Sequence, residues 1–104
     1  MEIDNDQSIM FIVLNDDDDL IASCHLWPNG TLVNFHVAKD ERLSNVGKYL
    51  FDHVKETAVK YGIREISGHV EKINTAIEFW EKQGFINHGT HPEYDDCWLV
   101  SFKL

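Results

Sequence analysis

Between Thr31 and Tyr61 the apolar period of the chain changes, and that change constrains the fold more than anything else in the sequence. Thr31–Val37 (TLVNFHV) is a β-rich run. After a polar loop, Val46, Leu50, Val54 and Ala58 recur every four residues, with Phe51 and Tyr61 on the flank. Lys48, Asp52, Lys55, Glu56 and Lys60 fill the other face. The pattern predicts an amphipathic helix over about Ser44–Tyr61, with Ser44 as N-cap and Gly62 as its stop. A strand that feeds a helix through a Gly-containing turn leaves backbone N–H groups facing the gap. Val37–Gly47, VAKDERLSNVG, is therefore a candidate anion site, and a phosphate-bearing ligand is its expected occupant.

The flanking segments supply a scaffold. Ser8–Leu14 and Leu20–Leu26 are apolar runs joined by NDDDD, which reads as a hairpin. Trp27-Pro-Asn-Gly30 is a turn leading into Thr31–Val37, so three strands form an antiparallel meander. Arg64–Val70 follows strand and helix, and a right-handed crossover would lay it parallel to Thr31–Val37. Asn74–Gln83 reads as a short helix with Asn74 as N-cap and Gly84 as its stop. Phe85–Gly89 and Cys97–Leu104 are the last strands, separated by the polar loop Thr90–Asp96. The order β-β-β-α-β-α-β-β predicts an α+β (mixed α/β) domain: one twisted mixed sheet with two packed helices.

A chain of 104 residues is one domain, here 1–104. The formal charge of −9 argues against a nucleic acid held by its backbone and suits a cationic or amine partner. No apolar run approaches the roughly 20 residues of a membrane span, and the acidic start MEIDNDQ lacks the features of a signal peptide. A soluble cytoplasmic protein is expected. Cys24 and Cys97 lie in apolar runs without CxxC spacing and read as buried free thiols, with a disulfide or a reactive thiol as the alternatives. His88 and His91 have a metal-like spacing but no third ligand, so no metal is expected.

Two segments resemble the GNAT (Gcn5-related N-acetyltransferase) superfamily. Val37–Gly47 is similar to its acetyl-CoA pyrophosphate loop, Gln/Arg-x-x-Gly-x-Gly/Ala, with Arg42, Asn45 and Gly47 at the marked positions. NTAIEFWEKQGF, Asn74–Phe85, is similar to its Asn-x-x-Ala-x-x-Phe-Tyr-x-x-x-Gly-Phe run. The resemblance implies an acetyl-CoA-dependent N-acetyltransferase whose partners are a CoA thioester and an amine acceptor. It also implies that the strand pair Thr31–Val37 and Arg64–Val70 splays to admit the pantetheine arm.

On that reading, the backbone of Leu43, Ser44, Asn45, Val46 and Gly47 holds the pyrophosphate at the helix terminus. Gly47 lets the ligand approach closely, and Asn45, in place of the first glycine, tolerates left-handed backbone. Arg42 adds charge. The backbone of Phe35 to Val37 bonds the arm like an added strand, and one of its N–H groups faces the oxyanion. Phe79 and Trp80 are core residues that can also line the arm, and the resemblance adds Asn74 to its contacts. Trp80 stands where the family usually has the tyrosine that protonates the departing thiolate, and an indole N–H cannot serve as that acid. Tyr94 is the candidate replacement. His36 is the first candidate for the base and His69 the second. Asp95 and Asp96 are candidates for holding an amine.

The family normally begins with another strand and one or two helices, for which this sequence has no room before Ser8. The acceptor side is therefore expected to be open or completed by another subunit. An apolar edge strand such as Ser8–Leu14 is often covered by a second chain, so a homodimer is expected. A different reading is a degenerate, non-catalytic member that binds CoA or a protein partner; a third is an interaction module whose loop binds no phosphate.

Overall fold

A computed structural model describes residues 7–41, 45–73 and 75–104. Arg42, Leu43, Ser44 and Asn74, all candidate ligand contacts, lie outside the described residues. Strands β1 (Ile9–Leu14), β2 (Leu20–Leu26) and β3 (Leu32–Val37) come first. A 3₁₀ turn, Lys39–Glu41, leads toward helix α1 (Val46–Lys60). Strand β4 (Glu65–Glu71), helix α2 (Ala76–Lys82), β5 (Ile86–Thr90) and β6 (Cys97–Lys103) complete the chain. The α+β class and the element order are those read from the sequence.

The strands form two antiparallel sheets of three, ordered β1-β2-β3 and β4-β6-β5. A parallel bridge, Thr31 to Ser67, joins them. The expected mixed sheet is thus divided where β3 meets β4, the one pair among the described residues that runs parallel. The β1–β2 turn is organised by Asn15, whose Oδ1 accepts the N–H groups of Asp17 and Asp19 at 2.9 Å, leaving four carboxylates in solvent.

Both helices pack on one face. Leu50, Phe51, Val54 and Ala58 of α1 and Trp80 of α2 are buried against Ala22, Cys24, Leu26, Ile66, Val70 and Val100. Buried positions three or four apart on α1 meet alternate residues of the strands, the two periods that the sequence carries. Each large side chain so buried contributes about 1.5–3 kcal/mol. Both cysteines are buried free thiols. Burial pushes the Cys24 thiol up to about 12. On the opposite face Met10, Ile12 and Leu14 are exposed, and β1 is a sheet edge. Among the described residues no helix is long and apolar enough to cross a membrane.

Candidate functional site

The division between the sheets begins at a pinned point. Trp27–Gly30 closes as a turn, Gly30 N–H donating to the Trp27 carbonyl at 2.9 Å. The Gly30 carbonyl then accepts Ser67 N–H at 3.0 Å. Gly30 has φ +93°, and a Cβ there would lie 2.1 Å from the Glu65 carbonyl oxygen, so only glycine fits. One step beyond, a Cβ on Gly68 would come within 3.2 Å of the Leu32 carbonyl. Past this point β3 and β4 part, and a cleft of about 800 Å³ opens between residues 32–37 and 67–71.

A bulge shapes the β3 wall. The β2–β3 register steps from His25–Val33 to Ser23–His36, so Asn34 and Phe35 together oppose Cys24. Asn34 takes φ +55°, a left-handed conformation that Asn tolerates better than other non-glycine residues. The extra residue shifts the alternation by one. Leu32, Phe35 and Val37 consequently all turn toward the core, while Asn34 and His36 are exposed.

Helix α1 closes the mouth. Its N-cap position is Asn45, one residue after the expected Ser44. Asn45 has φ −83° and no side-chain capping bond, so its tolerance of left-handed backbone is not used. Its carbonyl accepts Tyr49 N–H at 2.9 Å. Asn45, Gly47 and Lys48 line the cleft. The first turn of a helix lacks intrahelical acceptors for its N–H groups and carries the positive end of the dipole. Gly47 has a packing role as well. A Cβ there would meet the Phe79 ring at 3.2 Å and Val37 Cγ2 at 3.6 Å, so the missing side chain makes room for α2 and β3.

The inner wall is aromatic. Trp80 is 9% exposed and meets Phe35, Phe51 and Phe85 edge to face at 4.6–5.6 Å. Phe79 packs on Trp80 at 4.8 Å. Phe79 and Trp80 are therefore core residues that also line the cleft, as do Phe35 and Val37. Of the remaining contacts expected from the sequence, Val46 opens the helix.

His36 and His69 both line the cleft, from β3 and β4 respectively. Tyr94 is not among the lining residues; it packs behind His69, ring centroids 5.1 Å apart. His88 and His91 go separate ways: His88 Nε2 and Ser101 Oγ are hydrogen-bonded at 2.6 Å, while the His91 ring joins Tyr94 and His69. Asp95 and Asp96 are exposed on the same loop as Tyr94. The Cys97 thiol is pushed up by burial and by the carboxylate of Asp96. Residues that the sequence reading did not single out, Asn34 as the bulge and Gly30 and Gly68 at the point of parting, shape the cleft as much as those it did.

A family model described as an acetyltransferase (GNAT) domain matches residues 1–104. Among solved structures, the PaiA N-acetyltransferase of Thermoplasma acidophilum in complex with coenzyme A is similar, with a TM-score of 0.84 and 20% identity over 93% of this chain and 61% of that one. A Gcn5-related N-acetyltransferase of Kribbella flavida has a TM-score of 0.78 and 24% identity over 93% and 68% of the two chains. An acetyltransferase of the GNAT family from Staphylococcus aureus has a TM-score of 0.79 and 22% identity over 93% and 68%. The chain thus spans about three fifths to two thirds of the length of these proteins. No curated protein matches it.

Proposed function

Because the chain belongs to the GNAT acetyltransferase family, we propose that it transfers an acetyl group from acetyl-CoA to an amine. The observation that carries this reading is the parting of β3 from β4 under the N-terminus of α1. An extended arm can hydrogen-bond along a strand edge that has lost its neighbour. A diphosphate suits the amides of Asn45 and Gly47, and the sequence reading adds Arg42, Leu43 and Ser44 as its contacts. Phe79 and Trp80 offer apolar surface to the arm, and Asn74 lies at the start of the same segment. In the mechanism, backbone N–H at the bulge, by Phe35, polarises the thioester carbonyl. The amine must lose a proton before it attacks, and His36 and Tyr94 are the acid–base candidates read from the sequence.

Acetyl-CoA and CoA should each raise the unfolding midpoint by mass action, about 2.7 kcal/mol at one hundred times Kd. No rise would end the reading. A thiol-release assay over a panel of amines tests turnover. A second reading, CoA binding without turnover, draws support from Trp80, whose indole offers no acid for the thiolate; it predicts the midpoint shift without thiol release. The exposed apolar edge at β1 supports pairing of two copies there, and the cytoplasmic location expected from the sequence would suit both readings.

A further inference from the structure

We propose that His69 is the base that takes the acceptor amine's proton, and that His91 and Tyr94 position it. The proposal rests on the acetyl-transfer reading above and assigns the acceptor side of the same cleft.

His69 is two residues past Ser67, the point of parting, which is about 6–7 Å along a strand. Counting in parallel from the Thr31–Ser67 bridge, it lies level with Val33, beside the bulge at Asn34 and Phe35. Its neighbour Val70 is buried in the core, and alternation turns His69 to the face that carries no helix among the described residues. His36 shares that face but sits beyond the bulge, toward the end of β3 that leads to α1. If a diphosphate lies at α1, the reacting end of an extended arm lies near the parting point, which favours His69.

The rings around it are fixed by the loop that carries them. His91 meets His69 edge to face at 5.9 Å, and Tyr94 lies 5.1 Å from His69 and 4.7 Å from His91. Glu93 N–H donates to His91 Nδ1 at 3.0 Å, so that nitrogen is unprotonated and the ring orientation is set. His91 N–H donates to the Cys97 carbonyl and Cys97 N–H to the Tyr94 carbonyl, at 2.9 and 3.0 Å. Lys72, just past β4, straps the loop down: its N–H donates to the Asp96 carbonyl at 2.9 Å and its Nζ to Thr90 Oγ1 at 2.6 Å. A side chain held this way loses little freedom on meeting a substrate.

The charged surroundings suit an ammonium ion. Glu71 shares the outward face of β4 with His69. Glu93, Asp95 and Asp96 are exposed on the loop, and β6 presents uncharged Leu99 opposite His69. The Lys72 ammonium is engaged by Thr90 and the Trp98 ring. His36 is the titratable group from β3. An acceptor arriving as R–NH₃⁺ gives one proton to the His69 ring. Its lone pair then forms the C–N bond to the thioester carbonyl carbon. The C–S bond breaks with its electron pair on sulfur, the thiolate takes up the second proton that the attacking nitrogen sheds, and the imidazolium returns the first to water. The products are an amide, a free thiol and one proton released to solvent, and no other reactant is required.

The test compares wild type, His69→Ala and His36→Ala for thiol release from acetyl-CoA. The acceptors are butylamine, cadaverine and lysine methyl ester, with hydroxylamine, already unprotonated at neutral pH, as the acceptor that needs no base. His69→Ala should lower alkylamine kcat/KM about 10²-fold or more and keep the hydroxylamine rate within about threefold. Imidazole in the buffer should restore part of the loss, and the midpoint shift with acetyl-CoA should not change. His91→Phe should lower kcat with KM for acetyl-CoA unaltered. Equal alkylamine rates in wild type and His69→Ala, or the loss appearing in His36→Ala instead, would overturn the assignment. So would a wild type that binds acetyl-CoA but acetylates none of these amines, with the cofactor reading left standing. Failure to bind acetyl-CoA would remove the reading beneath it.

Discussion

Replacing Gly30 with alanine should unpin the cleft at its apex, and the cost can be worked from the contacts. Two penalties fall together. The backbone at φ +93° is left-handed, which costs an L residue about 1–2 kcal/mol. The new Cβ would also lie 2.1 Å from the Glu65 carbonyl oxygen, against the 3.0 Å below which real Cβ contacts essentially never fall. The strands must therefore separate by about 1 Å, the difference of those two distances. That shift strains the Ser67 N–H bond to the Gly30 carbonyl, and leaving it unmade adds about 1–3 kcal/mol. Gly62→Ala is the control. Gly62 has φ +77° but nothing within 4 Å of its Cβ position, so it carries the first penalty alone. Urea unfolding of both variants at unchanged m should put Gly30→Ala below Gly62→Ala by at least about 1 kcal/mol. A domain of this size holds only about 5–15 kcal/mol in all, so the midpoint should fall visibly. Acetyl-CoA should also raise the midpoint of Gly30→Ala less than that of wild type. Equal destabilisation by the two substitutions would refute the argument that backbone contact at Glu65 sets the apex.

Three further outcomes follow from the geometry. Gly47→Glu would press on the Phe79 ring and set a carboxylate at the helix terminus, so acetyl-CoA affinity should fall at least about tenfold; unchanged affinity by calorimetry would count against a diphosphate there. Cys24, pushed up to about 12, carries thiolate to about one part in 10⁴ at pH 8, and Cys97 is also shifted toward the thiol form. Both should resist a thiol reagent at pH 8 until the protein is unfolded, and prompt labelling of the native protein would contradict their burial. If two copies pair along β1, light scattering should give twice the chain mass and Ile12→Lys should return it to the monomer value; a monomeric wild type at working concentration would dismiss the dimer.

The element order was legible because each segment carries its own period. Val46, Leu50, Val54 and Ala58 mark the buried stripe of α1, and Leu50, Val54 and Ala58 are fully buried. Ala22, Cys24 and Leu26 alternate along β2 in the same clear way. Helix limits shifted by one or two residues, as ends do when no side-chain cap fixes them. What the sequence did not disclose are contacts made across long separations. Nothing local says that Gly30 lies on the Glu65 carbonyl or that Gly47 faces Phe79. His69, His91 and Tyr94 meet because the β4–β6 register and the turn before Cys97 bring a strand and a loop together. The bulge did leave a trace. In LVNFHV the apolar residues fall at Leu32, Val33, Phe35 and Val37, a slip in alternation with Asn at the slip.

That slip explains why the cleft is intrinsic to the fold. With regular alternation, Leu32 would share a face with Asn34 and His36, and Phe35 and Val37 would point away from the core. Exposing two such side chains would forfeit about 1.5–3 kcal/mol each. Admitting one extra residue opposite Cys24 keeps Leu32, Phe35 and Val37 on the apolar side. The same residue bends β3 and increases its twist, as bulges do. A strand bent in this way cannot stay in register with a straight parallel neighbour, and the pairing with β4 is confined to the Thr31–Ser67 bridge. The core's demand for three apolar side chains and the opening of a ligand-sized gap are thus met by one local distortion. Deleting Asn34 would leave Leu32, Phe35 and Val37 in regular alternation on the core face, so the variant should fold, pair further with β4 and lose its midpoint shift with acetyl-CoA; an undiminished shift would refute the link between bulge and cleft.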